Sequence, residues 1–212
     1  MSALRFSSLI ILFPILFGAC GRSELIRIRM LAPVTEDKKD YAIFTDTTSS
    51  SSFTPVITNK QIGGSLYFLF KSIGLGYTTI TTKMEKVDEK LTEKTTLVTN
   101  FADVAFGIGE NYTFMWGAGV LTGGKWETSL EYDSKTFNHK HNYLGGHSLF
   151  FVLGHHGFGF ETLLGYRTNS IKAEFEEIKS LDIGKTSEDF TYESNIIILK
   201  TSQVQLGIGF TF

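Results

Sequence analysis

The chain has 212 residues, which suits one domain, and a formal net charge of −2 at pH 7. Its 20 Lys and Arg against 22 Asp and Glu leave no basic surplus for a nucleic-acid partner. A single cysteine, Cys20, excludes an intramolecular disulfide. Beside only 3 Pro stand 19 Phe and 21 Gly, a balance that suits sheets, where aromatics pack well and glycine permits crowding and bending.

In chain order, the first element is an export signal. Arg5 is the only charge before "LIILFPILFG", an apolar run too short to cross a bilayer as a helix. Gly18 and Ala19 then lead into Cys20. "LFGAC" resembles a bacterial lipoprotein box, although Phe17 stands where such boxes prefer an aliphatic residue. The resemblance implies cleavage after residue 19 and lipidation of Cys20, leaving 20–212 as the mature chain. Beyond residue 20 no stretch is continuous and apolar enough for a transmembrane helix.

The rest alternates with period two, the mark of strands. "ELIRIRML" sets Arg27 and Arg29 against Ile26, Ile28 and Met30, and competes with "YAIFTDTT" for the first strand. Seven more follow: Lys60–Phe70, Ile73–Met84, Lys94–Ile108, Tyr112–Thr122 with an optional extension to Leu130, Asn142–Leu153, Gly157–Ser170 and Ile196–Phe212. Short turns at Lys71–Ile73, Gly109–Asn111 and Gly154–Gly157 alternate with long polar stretches at Glu85–Glu93, Gly123–His141 and Ile171–Asn195. Eight antiparallel strands with alternating short and long connections predict an all-β, up-and-down transmembrane barrel. A β-sandwich or lipocalin-like barrel is the rival, in which the apolar stripes would point inward.

The last strand carries the closest likeness to a known class. Val204, Leu206, Ile208, Phe210 and Phe212 share one face, and the chain ends on the aromatic. This resembles small eight-stranded bacterial outer-membrane barrels, whose final strand is read by the barrel-assembly machinery. The resemblance implies location in the outer membrane, contact with its lipid, and a monomer with an extracellular partner still to be identified. No cofactor is implied.

Several residues are candidates for chemistry. With these strand phases Lys71, Asp103, Glu161 and Arg167 point into the lumen, which is just wide enough to be filled by side chains. Such charges form either a plug of ion pairs or a narrow ion path for which inward glycines leave room. Arg167 lies about 20 Å along its strand from Glu161, so it is expected to pair with another acidic group or a loop residue and not with Glu161. His147, Ser148 and Glu161 are the residue types of a lipid-modifying enzyme, but adjacent strand residues face opposite sides, which separates His147 from Ser148. His139 and His141 in "NHKHN" lack a third metal ligand beyond the nearby Glu131 and Asp133. His155 and His156 fall in an expected turn. "SIKAEFEEIKSLDIG" fits either a short amphipathic helix or a strand extension. The sequence favours a non-enzymatic membrane scaffold presenting its outer loops. A small channel for ions or apolar molecules is the alternative, and a lipid-modifying enzyme the second.

Overall fold

The computed structural model describes residues 26–34, 44–46, 56–87, 91–132, 135–175, 190–192 and 196–212. Cys20 and the expected signal lie outside them. Among the described residues ten strands run in chain order: β1 Ile26–Pro33, β2 Phe44–Asp46, β3 Val56–Phe70, β4 Ile73–Val87, β5 Leu91–Gly109, β6 Tyr112–Tyr132, β7 Lys135–Gly157, β8 Phe160–Phe175, β9 Phe190–Tyr192 and β10 Ile196–Thr211. Eight of them close into an antiparallel barrel in the order β1-β10-β8-β7-β6-β5-β4-β3, while β2 and β9 form a separate two-stranded sheet. The first barrel strand is therefore "IRIRMLAP", and the described residues of its rival form β2, outside the barrel.

Closure rests on β1, which pairs β10 on one edge and β3 on the other. Ile26 and Phe212 exchange both backbone hydrogen bonds, at 3.2 and 2.9 Å. The last residue is thus tied into the wall and β1 is paired on both edges, the arrangement a strand needs where no water is available.

Three tight turns set one end of the barrel, at Lys71–Ser72, Glu110–Asn111 and Phe158–Gly159. Both residues of the last have positive φ, 56° and 83°, as a type I′ hairpin turn requires. That turn lies beyond the expected "GHHG": β7 continues through Gly157, so His155 and His156 are strand residues. We call this the turn end and the opposite one the loop end.

Near the turn end the outer face is apolar. Phe68, Phe70, Ile73, Leu75, Tyr112, Leu153, Phe160 and Leu206 are all half or more exposed, and Ile208 nearly so. Phe114 stacks on Trp116 at 5.3 Å, and Phe160 meets Phe210 at 5.2 Å. These aromatics belong to the barrel's exterior, which is the reverse of a sandwich.

Toward the loop end the polarity inverts. The outward residues become Lys60, Lys83, Glu85, Lys94, Lys125 and Lys172, while Ile80, Met84, Leu97, Trp126, Leu130 and Ile171 turn inward and are buried. The strands consequently run farther than their apolar stripes indicate. Much of Glu85–Glu93 and Gly123–His141, expected as loops, is strand. "SIKAEF" continues β8 as far as Phe175, and the remainder of that segment lies outside the described residues.

Candidate functional site in the barrel interior

Among the described residues, two bidentate Arg–carboxylate pairs span the lumen at different heights. Nearer the turn end, Arg29 Nε and Nη2 donate to the two Glu161 oxygens at 2.6 and 2.8 Å. Arg29 Nη2 also donates to Thr113 Oγ1 at 2.8 Å. Farther up, Arg167 Nη2 and Nη1 donate to Asp103 Oδ1 and Oδ2 at 2.8 and 2.9 Å. Both pairs are bidentate, the geometry in which a planar guanidinium binds a carboxylate most strongly. All four side chains have no exposed surface.

The upper pair is held by a wide network. Arg167 donates to Ser148 Oγ at 2.5 Å, Thr78 Oγ1 at 3.0 Å, Asn169 Oδ1 at 3.0 Å and Tyr67 OH at 3.2 Å. Thr78 Oγ1 donates to Asp103 Oδ2 at 2.6 Å. The guanidinium also lies over the rings of Phe101 and Phe150, at 4.8 and 5.4 Å. Seven strands therefore converge on this one cluster: Tyr67 from β3, Thr78 from β4, Asp103 and Phe101 from β5, Gly119 from β6, Ser148 and Phe150 from β7, and Arg167 and Asn169 from β8, with Asn169 donating to Thr201 of β10 at 2.9 Å. Between the two ion pairs lies an apolar layer that includes Leu31, Leu69, Ala105, Met115, Val152 and Leu163.

Inward glycines give the carboxylates their seats. A Cβ at Gly119 would lie 1.9 Å from Asp103 Oδ1, and one at Gly209 would lie 2.6 Å from Glu161 Oε2. The room these glycines leave is filled by the ion pairs. Gly119→Ala is accordingly expected to destabilise the barrel by about 1–3 kcal/mol through overpacking. Equilibrium urea unfolding in lipid vesicles measures it, and an unchanged midpoint would remove Gly119 from this role.

Asp103, Glu161 and Arg167 all point into the lumen, but Lys71 does not. Lys71 sits in the β3–β4 turn with φ 54°, exposed, its Nζ 5.8 Å from the centre of the Phe70 ring. The strand alternation that aimed it inward ends where the turn begins. Arg29, the partner of Glu161, was not among the sequence candidates. Its signal was there, since a strand carrying arginines at alternate positions must aim them at a lumen with acids in it. A further interior pair of opposite charges, Lys86 and Glu93, face each other across the β4–β5 ladder near the loop end, both buried.

The other candidates separate. Ser148 is buried against Arg167 while His147 is exposed on the outer face, so these two and Glu161 do not assemble. His141 Nδ1 accepts from Trp126 N–H at 2.8 Å, inside a break in the wall. There the β6–β7 pairing stops at Val120↔His147 and resumes at Glu127↔Lys140. The side chain of His139 lies outside the described residues. Among the described residues no three His, Cys, Asp or Glu side chains gather as a metal site. Val204, Leu206, Ile208, Phe210 and Phe212 occupy the outer face of β10 and its end, with Leu206, Ile208 and Phe212 the most exposed.

No protein-family model matches the chain, and neither does any curated protein. Among solved structures, the crystal structure of the outer membrane protein OprG from Pseudomonas aeruginosa is similar, with 12% identity over 90% of this chain and 97% of that chain and a TM-score of 0.45.

Proposed function

We propose that the chain is an integral protein of a bacterial outer membrane and a non-enzymatic scaffold. The turn end faces the periplasm, the apolar belt meets lipid, and the upper barrel with its loops stands outside for a partner. The observation that carries this reading is the inversion of polarity along the strands. A water-surrounded barrel has no use for an aromatic exterior around buried ion pairs, whereas a bilayer requires that arrangement over a band about 25 Å tall. The occupied lumen supports a closed barrel, and the separation of His147 from Ser148 supports a non-enzymatic role.

The two tryptophans supply the test. Trp116 belongs to the outer belt and Trp126 is buried inside. In vesicles of brominated-acyl phosphatidylcholine, Trp116 fluorescence is expected to be quenched, and Trp116→Phe is expected to leave an emission that bromine scarcely affects. Equal quenching of wild type and variant would contradict the assignment of the belt to lipid.

In the same reading the terminal strand is the assembly signal and Cys20 the lipid anchor. Deleting Phe212 is expected to reduce the heat-modifiable folded band on a gel, and an undiminished band would contradict that role. The mass of membrane-extracted protein decides on Cys20: a mature chain without added acyl mass would sink the anchor.

One observation favours a second reading, a side path for apolar small molecules. The β6–β7 ladder is interrupted over Leu121–Trp126 and His141–Gly146, where the polarity of the wall changes. Uptake of an apolar dye by proteoliposomes no faster than by protein-free vesicles would dismiss it.

A further inference from the structure

Two sets of outward lysines near the loop end differ in their surroundings. Lys94, Lys125 and Lys172 each have a carboxylate beside them, Glu85 at 3.6 Å, Glu127 at 3.0 Å and Glu174 at 2.7 Å. Lys60 and Lys83 have none within ion-pairing distance among the described residues, and they stand directly opposite each other in the β3–β4 ladder. Both are exposed. Like charges in directly opposed positions destabilise a sheet, so the pairing calls for a compensating anion outside the protein.

Their height says what that anion belongs to. Below them on the same face lie the opposed pairs Phe70↔Ile73, Phe68↔Leu75 and Leu66↔Tyr77, all exposed, followed by Gly64↔Thr79 and Ile62↔Thr81. The Lys60↔Lys83 pair comes next. Lys83 is ten residues beyond Ile73, about 34 Å along the strand and roughly 26 Å along the barrel axis at a tilt near 40°. That is the height of the apolar band of an outer-membrane barrel, so the two ammonium groups emerge where headgroups begin. Thr58 and Thr81, the same-face neighbours of Lys60 and Lys83, add hydroxyl donors on the two flanks.

We infer that Lys60 and Lys83 form a docking site for the phosphate of an outer-leaflet lipid headgroup, seated across the β3–β4 wall at the outer edge of the bilayer. This rests on the reading of the chain as a membrane-spanning barrel. The ligand is a phosphomonoester-bearing lipid whose acyl chains lie against Leu66, Phe68, Leu75 and Tyr77. One anion between two ammonium groups relieves their repulsion, and the acyl chains hold it at the wall.

The test uses the full chain reconstituted in phosphatidylcholine vesicles with and without lipid A, with lipid A association read by co-isolation in nanodiscs. Replacing both lysines, Lys60→Gln with Lys83→Gln, is expected to weaken lipid A association by about 25-fold, from about fivefold per lysine at an anionic surface. In pure phosphatidylcholine the double variant is expected to unfold at the same or higher urea concentration than wild type. Lys125→Gln, whose lysine already has Glu127, is expected to leave lipid A association nearly unchanged. Inorganic phosphate competing away the lipid at millimolar concentration would replace the lipid with a free anion and overturn the assignment. Equal lipid A association of wild type and double variant in correctly inserted protein would also overturn it. A chain that inserts into neither kind of vesicle would overturn the membrane reading itself, and this inference with it.

Discussion

Asp103→Ala is expected to destabilise the barrel by about 3–5 kcal/mol, because it leaves the Arg167 guanidinium buried without its carboxylate. Arg167 has no exposed surface, so the charge has no route to water. Ser148, Thr78, Tyr67 and Asn169 would still accept from it, but these are neutral groups. The whole upper cluster is organised around that carboxylate, down to the seat left open at Gly119. Urea unfolding in vesicles, monitored by tryptophan fluorescence, measures the loss. A double variant, Asp103→Ala with Arg167→Met, is expected to recover a large part of it, since removing both charges removes the burial penalty. A single variant as stable as wild type would mean that the pair does not hold the barrel together.

Glu161→Ala is expected to have an effect of the same size through Arg29, which is likewise fully buried and, among the described residues, retains only Thr113 as a side-chain acceptor. The consequences differ in place. Arg29 lies on β1, the strand whose two edges close the ring. Hydrogen exchange should therefore quicken first at the β1–β10 and β1–β3 ladders. Glu161 and Arg167 lie about 20 Å apart along β8, with an apolar layer between the two clusters. Losses from Asp103→Ala and Glu161→Ala should thus add to within about 0.5 kcal/mol. Strong non-additivity would show that the lumen behaves as one network.

The lower barrel was legible in the sequence because its physics is simple. A strand with one face outward and one inward alternates, and "NYTFMWGAGV" or "VQLGIGFTF" states which residues take which face. The upper barrel was hidden for two reasons. Outward positions there turn polar, so in β4 the apolar stripe moves from Ile73, Leu75 and Tyr77 to the inward Ile80 and Met84. In β6 and β7, register shifts between Asn100 and Phe101 of the facing β5, and between His141 and Tyr143, break the alternation itself. Inward residues of β6 are Thr113, Met115 and Gly119 below the shift but Trp126, Thr128 and Leu130 above it. A bulge of this kind moves every later side chain to the other face, and the glycines around it gave only a weak warning.

Interior chemistry was half legible. Period two aimed Asp103, Glu161 and Arg167 inward and separated Arg167 from Glu161, but the partners meet across the lumen, and Arg29 is 132 residues from Glu161. No local pattern encodes such a pairing. Period two aims Lys71 inward as well, but the alternation ends at Phe70 and Lys71 belongs to the turn.

The claim that these two ion pairs close the barrel is tested most directly by single-channel recording of the purified protein in planar bilayers. The expected result is no conductance above the bare membrane for wild type, and none for Asp103→Ala in protein that remains folded. Reproducible conductance steps from wild type, with an ion selectivity shifted by Asp103→Ala, would contradict it and make the same charges the lining of an ion path.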